Sequence, residues 1–231
     1  MIEAAKSLFL ILTALFPIVD PLGGSPIFLA MTKDYSSNTR RALSRRIAMN
    51  SFFLLIGSYF IGTHILSFFG ISLPVVQVGG GLIVISTGWA LLKQGSLDDQ
   101  KEMKRHLGPT DPFHNAFYPL TLPLTVGPGS ISVAITLGAN APHHHGLNIL
   151  SVLVAFVGCA LLALSIFLCY GFADRLGQIL GATGMTVILQ LTSFLLVCIG
   201  VQILWNGSKY PPAEPGALRH CEPLKAARRG R

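Results

Sequence analysis

The sequence predicts an all-α membrane protein: six transmembrane helices forming two inverted three-helix repeats, with the first helix of each repeat broken at mid-membrane. This rests on long uncharged apolar runs, on Lys and Arg confined to the connections, and on a proline motif that occurs twice. Hydrophobic residues make up 51% of the 231 residues and charged residues 12%, against about a quarter charged in a soluble domain. Mean hydropathy is +0.60. No Asp, Glu, Lys or Arg lies between Arg46 and Lys93, between Asp111 and Asp174, or between Arg175 and Lys209. Such runs cannot form one surface of a water-soluble core, and a bilayer takes about 20 apolar residues per helix.

Six segments follow, at roughly 4–32, 47–69, 73–92, 114–138, 148–172 and 184–206. Transmembrane strands alternate over about 10 residues, whereas these runs are unbroken, so helices are expected. A cleaved signal peptide needs a short apolar stretch ending at a small-residue site. The first segment instead runs on past Pro17, Pro21 and Pro26, and is expected to belong to the mature protein.

The connections set orientation. Residues 33–46 and 93–111 are charged, 70–72 is a tight turn, and 139–147 holds no Lys or Arg. With six spans, the connections at 33–46, 93–111 and 173–183 share one side and hold ten Lys and Arg residues. The positive-inside rule then places them in the cytoplasm and both termini outside. If segments one and four are re-entrant instead, both charged connections and both termini share the cytoplasm. The chain divides into a first three-helix repeat (1–92), a cytoplasmic charged loop (93–113), a second repeat (114–207) and a basic tail (208–231). The Pro-rich, basic tail cannot bury enough apolar surface to order itself, so disorder is expected there. The net charge of +7 points to orientation and anionic lipid contact, not to nucleic acid, for which no basic helix or aromatic-basic platform appears.

The proline motif is the repeat signal. Pro17-Ile-Val-Asp-Pro21-Leu22 followed by Pro26 matches Pro119-Leu-Thr-Leu-Pro123-Leu124 followed by Pro128, all at one offset of 102 residues. Gln77 and Gly88 set against Gln190 and Gly200 give a weaker echo. Two halves of three spans insert upside down relative to each other, as in many secondary transporters. Each interior proline removes a helical hydrogen bond and clashes with the preceding turn, costing about 3 kcal/mol or more. Gly23 and Gly24 let the chain turn, and a second half-helix is expected near Ser25-Pro26. Freed backbone groups at that depth are tolerated only if buried in protein or lining a cavity. The alternative reading is that the prolines merely kink two packed helices.

One central site is therefore expected where the breaks meet. Its candidate substrate-binding residues are Asp20, Pro21, Leu22, Gly23, Gly24 and Ser25 from the first break. From the second they are Thr121, Thr125, Gly127, Pro128, Gly129 and Ser130. Half-helix N-termini suit a carboxylate. Asp20 is the only acidic residue deep in an apolar segment, and such residues are functional candidates by default. It is the ion-coupling candidate, a partner for a substrate ammonium, or a helix cap. Gln77 and Gln190 are secondary polar candidates that need partners in the bundle.

Other features carry less. Cys159, Cys169 and Cys198 lie in apolar runs, and no Cys-x-x-Cys spacing occurs with them or Cys221, so they read as packing residues. His143-His144-His145 reads as a solvated loop, since consecutive histidines do not converge on one ion without further ligands. Gly79-Gly80-Gly81 suits close helix packing, and Trp89 and Trp205 suit the membrane interface. No metal, cofactor or enzymatic chemistry is expected, because no nucleophile–base pair, carboxylate pair or ligand cluster appears within the membrane segments.

The stretches Asp20-Pro-Leu-Gly23, FFGISLP (68–74), the glycines 79–81, PLTLPLTVGPG (119–129), FLLVCIGVQ (194–202) and Asn206-Gly207 together resemble the MarC family of integral membrane proteins, across residues 4 to 207. The resemblance implies a six-helix, multi-pass protein of the bacterial inner membrane. By its characterised relatives it also implies uptake of small neutral amino acids such as glycine and alanine. Two departures stand out: the position of Asp20 is often Asn in the family, and Gln77 and Gln190 stand where many relatives carry Arg. No ATP-binding motif is present, so the leading expectation is a secondary transporter coupled to H⁺ or Na⁺. An exporter of amino acids or other small metabolites, or a non-transporting scaffold or regulatory protein, are the alternatives. Expected partners are a small-molecule substrate and the lipid bilayer, with a homo-oligomer left open.

Overall fold

The computed structural model describes residues 2–93, 114–141 and 149–209. Among these residues all regular structure is helical. Helices α1 (Ile2–Val19) and α2 (Pro21–Met31) follow one another across a single residue. Then come α3 (Ser37–Phe68) and α4 (Leu73–Lys93). A 3-10 turn, His114–Ala116, leads into an irregularly wound segment, Phe117–Thr125. Helices α5 (Pro128–Ala139), α6 (Ile149–Gly171) and α7 (Ala173–Ser208) complete the described chain. Among the described residues five stretches are long and apolar enough to cross a membrane. There are six if the wound segment and α5, bent by 63°, count as one span.

Two expected connections prove to be helix. Ser36 caps α3 by accepting the Thr39 amide at 3.2 Å, so residues 37–46 are its first turns and not a loop. At 32 residues α3 is about 48 Å long, against about 30 Å of hydrocarbon. Its exposed Arg41, Arg45 and Arg46 thus extend past the apolar layer. The connection at 173–183 likewise begins α7, which bends at Gly181 (φ 64, ψ 179). The charged loop from residue 94, the His143–His145 run and the tail from residue 210 lie outside the described residues.

Packing follows pairs of helices. α4 and α7 are the most extensively packed pair and run antiparallel: Gly81 meets Gly200, and Gly88 meets Ser193. A β-carbon on Gly81 would lie 2.7 Å from the Leu204 nitrogen and 2.8 Å from the Gly200 oxygen. Without side chains the two backbones approach as small-residue membrane interfaces allow. α3 and α6 are also antiparallel, with Ser44 near Gly171 and the Phe52 ring 5.0 Å from that of Phe156. The α1–α2 span runs in the same direction as α6, from Leu8 and Ile11 at Gly158 to Phe28 at Tyr170. The Phe117–α5 segment runs alongside α3, from Thr121 at Asn50 to Ile135 at Gly62. The half-helices cross over: α2 packs on α7, and α5 on α4.

At one end, buried Arg40 ion-pairs with Asp174 at the start of α7. It also donates to the Thr32 and Tyr35 carbonyls at 3.1 Å each. This single guanidinium ties the end of α2, the start of α3 and the start of α7. Leu15, Phe28, Leu43, Ile47, Leu55, Leu162 and Ile166 form the buried centre, while Phe53, Ile61, Leu153 and Phe194 are among the apolar side chains turned outward. In a bilayer that outer surface meets lipid and needs no further cover.

Gly81→Leu is expected to cost at least about 2–3 kcal/mol by overpacking the α4–α7 contact. Gly79→Ala, whose new methyl would meet open space, should be neutral or slightly stabilising. Thermal midpoints of the purified variants in detergent compare the two; equal values would rule out this packing account.

Candidate functional site

At the first break α1 ends at Val19, and Asp20 takes the left-handed conformation (φ 43, ψ 64). It is the only non-glycine with positive φ among the described residues. That conformation costs most side chains roughly 1–2 kcal/mol, but Asp and Asn visit it readily. The Asp20 carboxylate then accepts the Gly23 amide at 3.0 Å, capping α2. Pro21 takes the first helical position, where its missing N–H loses nothing. The helix therefore restarts at Pro21, not near Ser25-Pro26 as the sequence suggests. Gly23 and Gly24 are helical, and the buried Ser25 hydroxyl donates to the Pro21 carbonyl at 2.7 Å.

The second break has the same prolines and a different course. Tyr118 and Leu122, each preceding a proline, are extended (φ −124, ψ 126 and φ −108, ψ 124), as pre-proline sterics favour. The Tyr118–Pro119 and Leu122–Pro123 bonds are cis. Thr121 and Thr125 donate their hydroxyl protons to the carbonyls of Ala116 and Leu120, at 2.7 and 2.8 Å. They satisfy two carbonyls inside the broken segment. Helix resumes only at Pro128, and no side chain caps its Gly127 N-cap. At the offset of 102, Leu122 stands where the first half has Asp20. Leucine neither tolerates the left-handed conformation nor offers a cap, which is why this break is longer and bent.

Between the breaks lies a cavity of about 550 Å³. Asp20, Gly23 and Gly24 border it from the first break. Thr125, Gly127, Pro128, Gly129 and Ser130 border it from the second. The structure thus brings eight of the twelve candidates together. Pro21, Leu22, Ser25 and Thr121 stand apart from it: Leu22 is exposed, and the hydroxyls of Ser25 and Thr121 are committed to backbone carbonyls. Gln77 is half-buried where α4 meets Gly207. Gln190 is exposed on α7, so it does not find the partner in the bundle expected of it. Neither glutamine borders the cavity.

Sequence reasoning missed four contributors. Ser86 and Thr87 of α4 line the cavity on its exposed side, beside Ile83. Thr192 of α7 reaches the Asp20–Gly23 cap, since a β-carbon on Gly23 would meet both its hydroxyl and the Asp20 carboxylate. Tyr170 stands behind the cavity, fully buried, with its hydroxyl 3.1 Å from that of Thr125. Polar residues on a span flag the threonines weakly; a tyrosine at a span end carries no such signal. Among the described residues no three His, Cys, Asp or Glu side chains converge on a metal-sized site.

Membrane-length helices, with two interruptions facing a shared, partly polar cavity, define a polytopic integral membrane protein holding a solute-sized chamber. The chain belongs to the MarC family of integral membrane proteins, whose model matches residues 5–210. It is 30% identical over 213 residues to the UPF0056 inner membrane protein MarC of Salmonella typhimurium, covering 90% of this chain and 96% of that one. The proteins of the same name from Citrobacter koseri and Escherichia coli are 31% and 29% identical, with the same coverage. No solved structure matches the chain significantly. With its several membrane-spanning helices, this is a multi-pass protein of the bacterial inner membrane.

Asp20→Asn should keep the left-handed residue and the cap, leaving stability within about 1 kcal/mol. Asp20→Leu should lose both, at about 2–4 kcal/mol. Chemical or thermal unfolding in detergent ranks the pair, and an Asn variant as unstable as the Leu variant would contradict the capping role.

Proposed function

We propose that this protein is a secondary transporter of small neutral amino acids of the glycine and alanine type, driven by an H⁺ or Na⁺ gradient. In this reading it has six spans in two inverted repeats, 1–92 and 114–207. The observation that carries the reading is the electrostatic asymmetry across the cavity. One half-helix N-terminus is already met by the Asp20 carboxylate, while the other, at Gly127–Ser130, has no side-chain cap. A zwitterion matches both ends. Its ammonium pairs with Asp20, and its carboxylate accepts the free amides of Gly129 and Ser130 at the positive end of α5.

Helix directions support the six-span arrangement. The antiparallel α3–α6 and α4–α7 pairs require an odd number of crossings between α4 and α6. If segments one and four both dipped in and returned, those pairs would be parallel. The exchanged contacts, α2 on α7 and α5 on α4, are what a pseudo-two-fold relation between halves produces. So is the reciprocity of Gly81–Gly200 with Gly88–Ser193. Asp20 then serves either as the ammonium partner or as the site of the coupling ion.

A second reading draws on size. A chamber of about 550 Å³ falls in the range of drug-sized ligands, well beyond what glycine fills. Ile27, Val84, Leu91 and Leu196 give it an apolar wall. That favours a larger metabolite with an apolar body as the solute, in keeping with the exporter alternative.

Uptake of labelled glycine and alanine into proteoliposomes, with and without imposed H⁺ or Na⁺ gradients, tests the proposal. Saturable, competable, gradient-driven uptake is expected. Asp20→Asn should reduce it about tenfold or more, the scale of a lost charged hydrogen bond. Folded protein that moves no member of a broad amino-acid panel would discard the amino-acid assignment and leave the exporter and scaffold readings.

A further inference from the structure

We infer that Tyr170 is a positioning residue that couples the two helix breaks and sets the width of the cavity between them. Its effect on solute choice rests on the transport reading above; the coupling itself rests on geometry. Tyr170 lies one residue before the end of α6, a helix that contains neither break. Its ring stacks on Phe28 of α2, with centroids 4.7 Å apart and planes 9° from parallel. Phe28 lies one helical turn beyond Gly24. The Tyr170 hydroxyl occupies the space that a β-carbon on Gly24 would need, so only glycine lets α2 come this close.

The same hydroxyl reaches the other break. Thr125 Oγ1 gives its proton to the Leu120 carbonyl at 2.8 Å. The proton between Thr125 and Tyr170, at 3.1 Å, is therefore the phenol's, and Tyr170 donates to Thr125. One planar side chain with two side-chain torsions thus touches Gly24 and Phe28 at the first break and Thr125 at the second. Gly24 and Thr125 both line the cavity. The two walls are held apart by a fixed length, and neither can shift without losing the stack, the hydrogen bond or the contact at Gly24. In a buried setting an unmade hydrogen bond is costly, so a shift at one break is passed to the other.

The test is a four-protein cycle of wild type, Tyr170→Phe, Gly24→Ala and the double variant, reconstituted for uptake and assayed for thermal midpoint in detergent. Tyr170→Phe keeps the stack on Phe28 and should stay folded. It should raise the alanine KM about three- to tenfold, the scale of one neutral hydrogen bond, with a smaller change in kcat. It should also shift preference toward larger neutral amino acids. Gly24→Ala should lose uptake and lower the midpoint. In the double variant both should recover, because the clashing hydroxyl is gone. Additive effects, or a Gly24→Ala variant that behaves as wild type, would overturn the inference. If wild type moves no amino acid but the midpoints show rescue, the coupling stands and the transport reading falls.

Discussion

A polypeptide that interrupts a helix inside hydrocarbon must find partners for every N–H and C=O it frees, since no water is there to take them. The two breaks meet this constraint with different chemistry, and the rest of the site depends on how. At the first, one residue does the work: Asp20 turns left-handed and lends its own carboxylate to the Gly23 amide. At the second, the threonine hydroxyls supply protons to carbonyls near prolines that have none to give. The packing around them is correspondingly tight. The helices that α2 and α5 pack against, α7 and α4, meet each other through glycine at Gly81 and Gly200.

The sequence repeat is more symmetric than the structure built from it. Pro17, Pro21 and Pro26 have counterparts at a single offset, but Asp20 has Leu122. That one difference moves the restart of the helix from the position of Pro21 in the first half to Pro128, the counterpart of Pro26, in the second. It also leaves the second N-terminus uncapped. A proline motif states where a helix is interrupted; the residue between the prolines decides how quickly it recovers. The spans themselves were legible because burial in lipid demands long apolar runs, and the breaks because proline has no amide proton. The N-terminal turns of α3 were hidden behind four arginines, and only the structure shows Ser36 capping them. Tyr170 could not be read at all. Its importance comes from the meeting of α6 with two segments distant in sequence, and the residue type alone carries no mark of that. Gln190 shows the opposite failure: a polar residue on an apolar span was expected to turn inward, yet it faces outward.

The Arg40 cluster bears on which parts of the fold can move. Arg40 fixes the end of α2 to the starts of α3 and α7, and a buried ion pair that loses one partner leaves an expensive charge behind. Asp20 caps the other end of α2, which is thus held at both termini and along its side by the Phe28–Tyr170 stack. α5 is held along its length, by Ser132 donating to the Val76 carbonyl at 2.9 Å, but its N-terminus is not capped by any side chain.

The transport reading gives that contrast a consequence. A solute carboxylate seated on the Gly129 and Ser130 amides would supply at the second break what Asp20 already supplies at the first. Binding would complete the backbone accounting of the site, so the second break is the one whose energy depends on occupancy. Conformations differ in their affinity for a ligand only where the ligand makes different contacts. The bent segment from Phe117 through α5, and not the doubly anchored α2, is therefore the natural place for occupancy to be sensed. Tyr170, bonded to Thr125 at that break, is the side chain through which the first half would register the change.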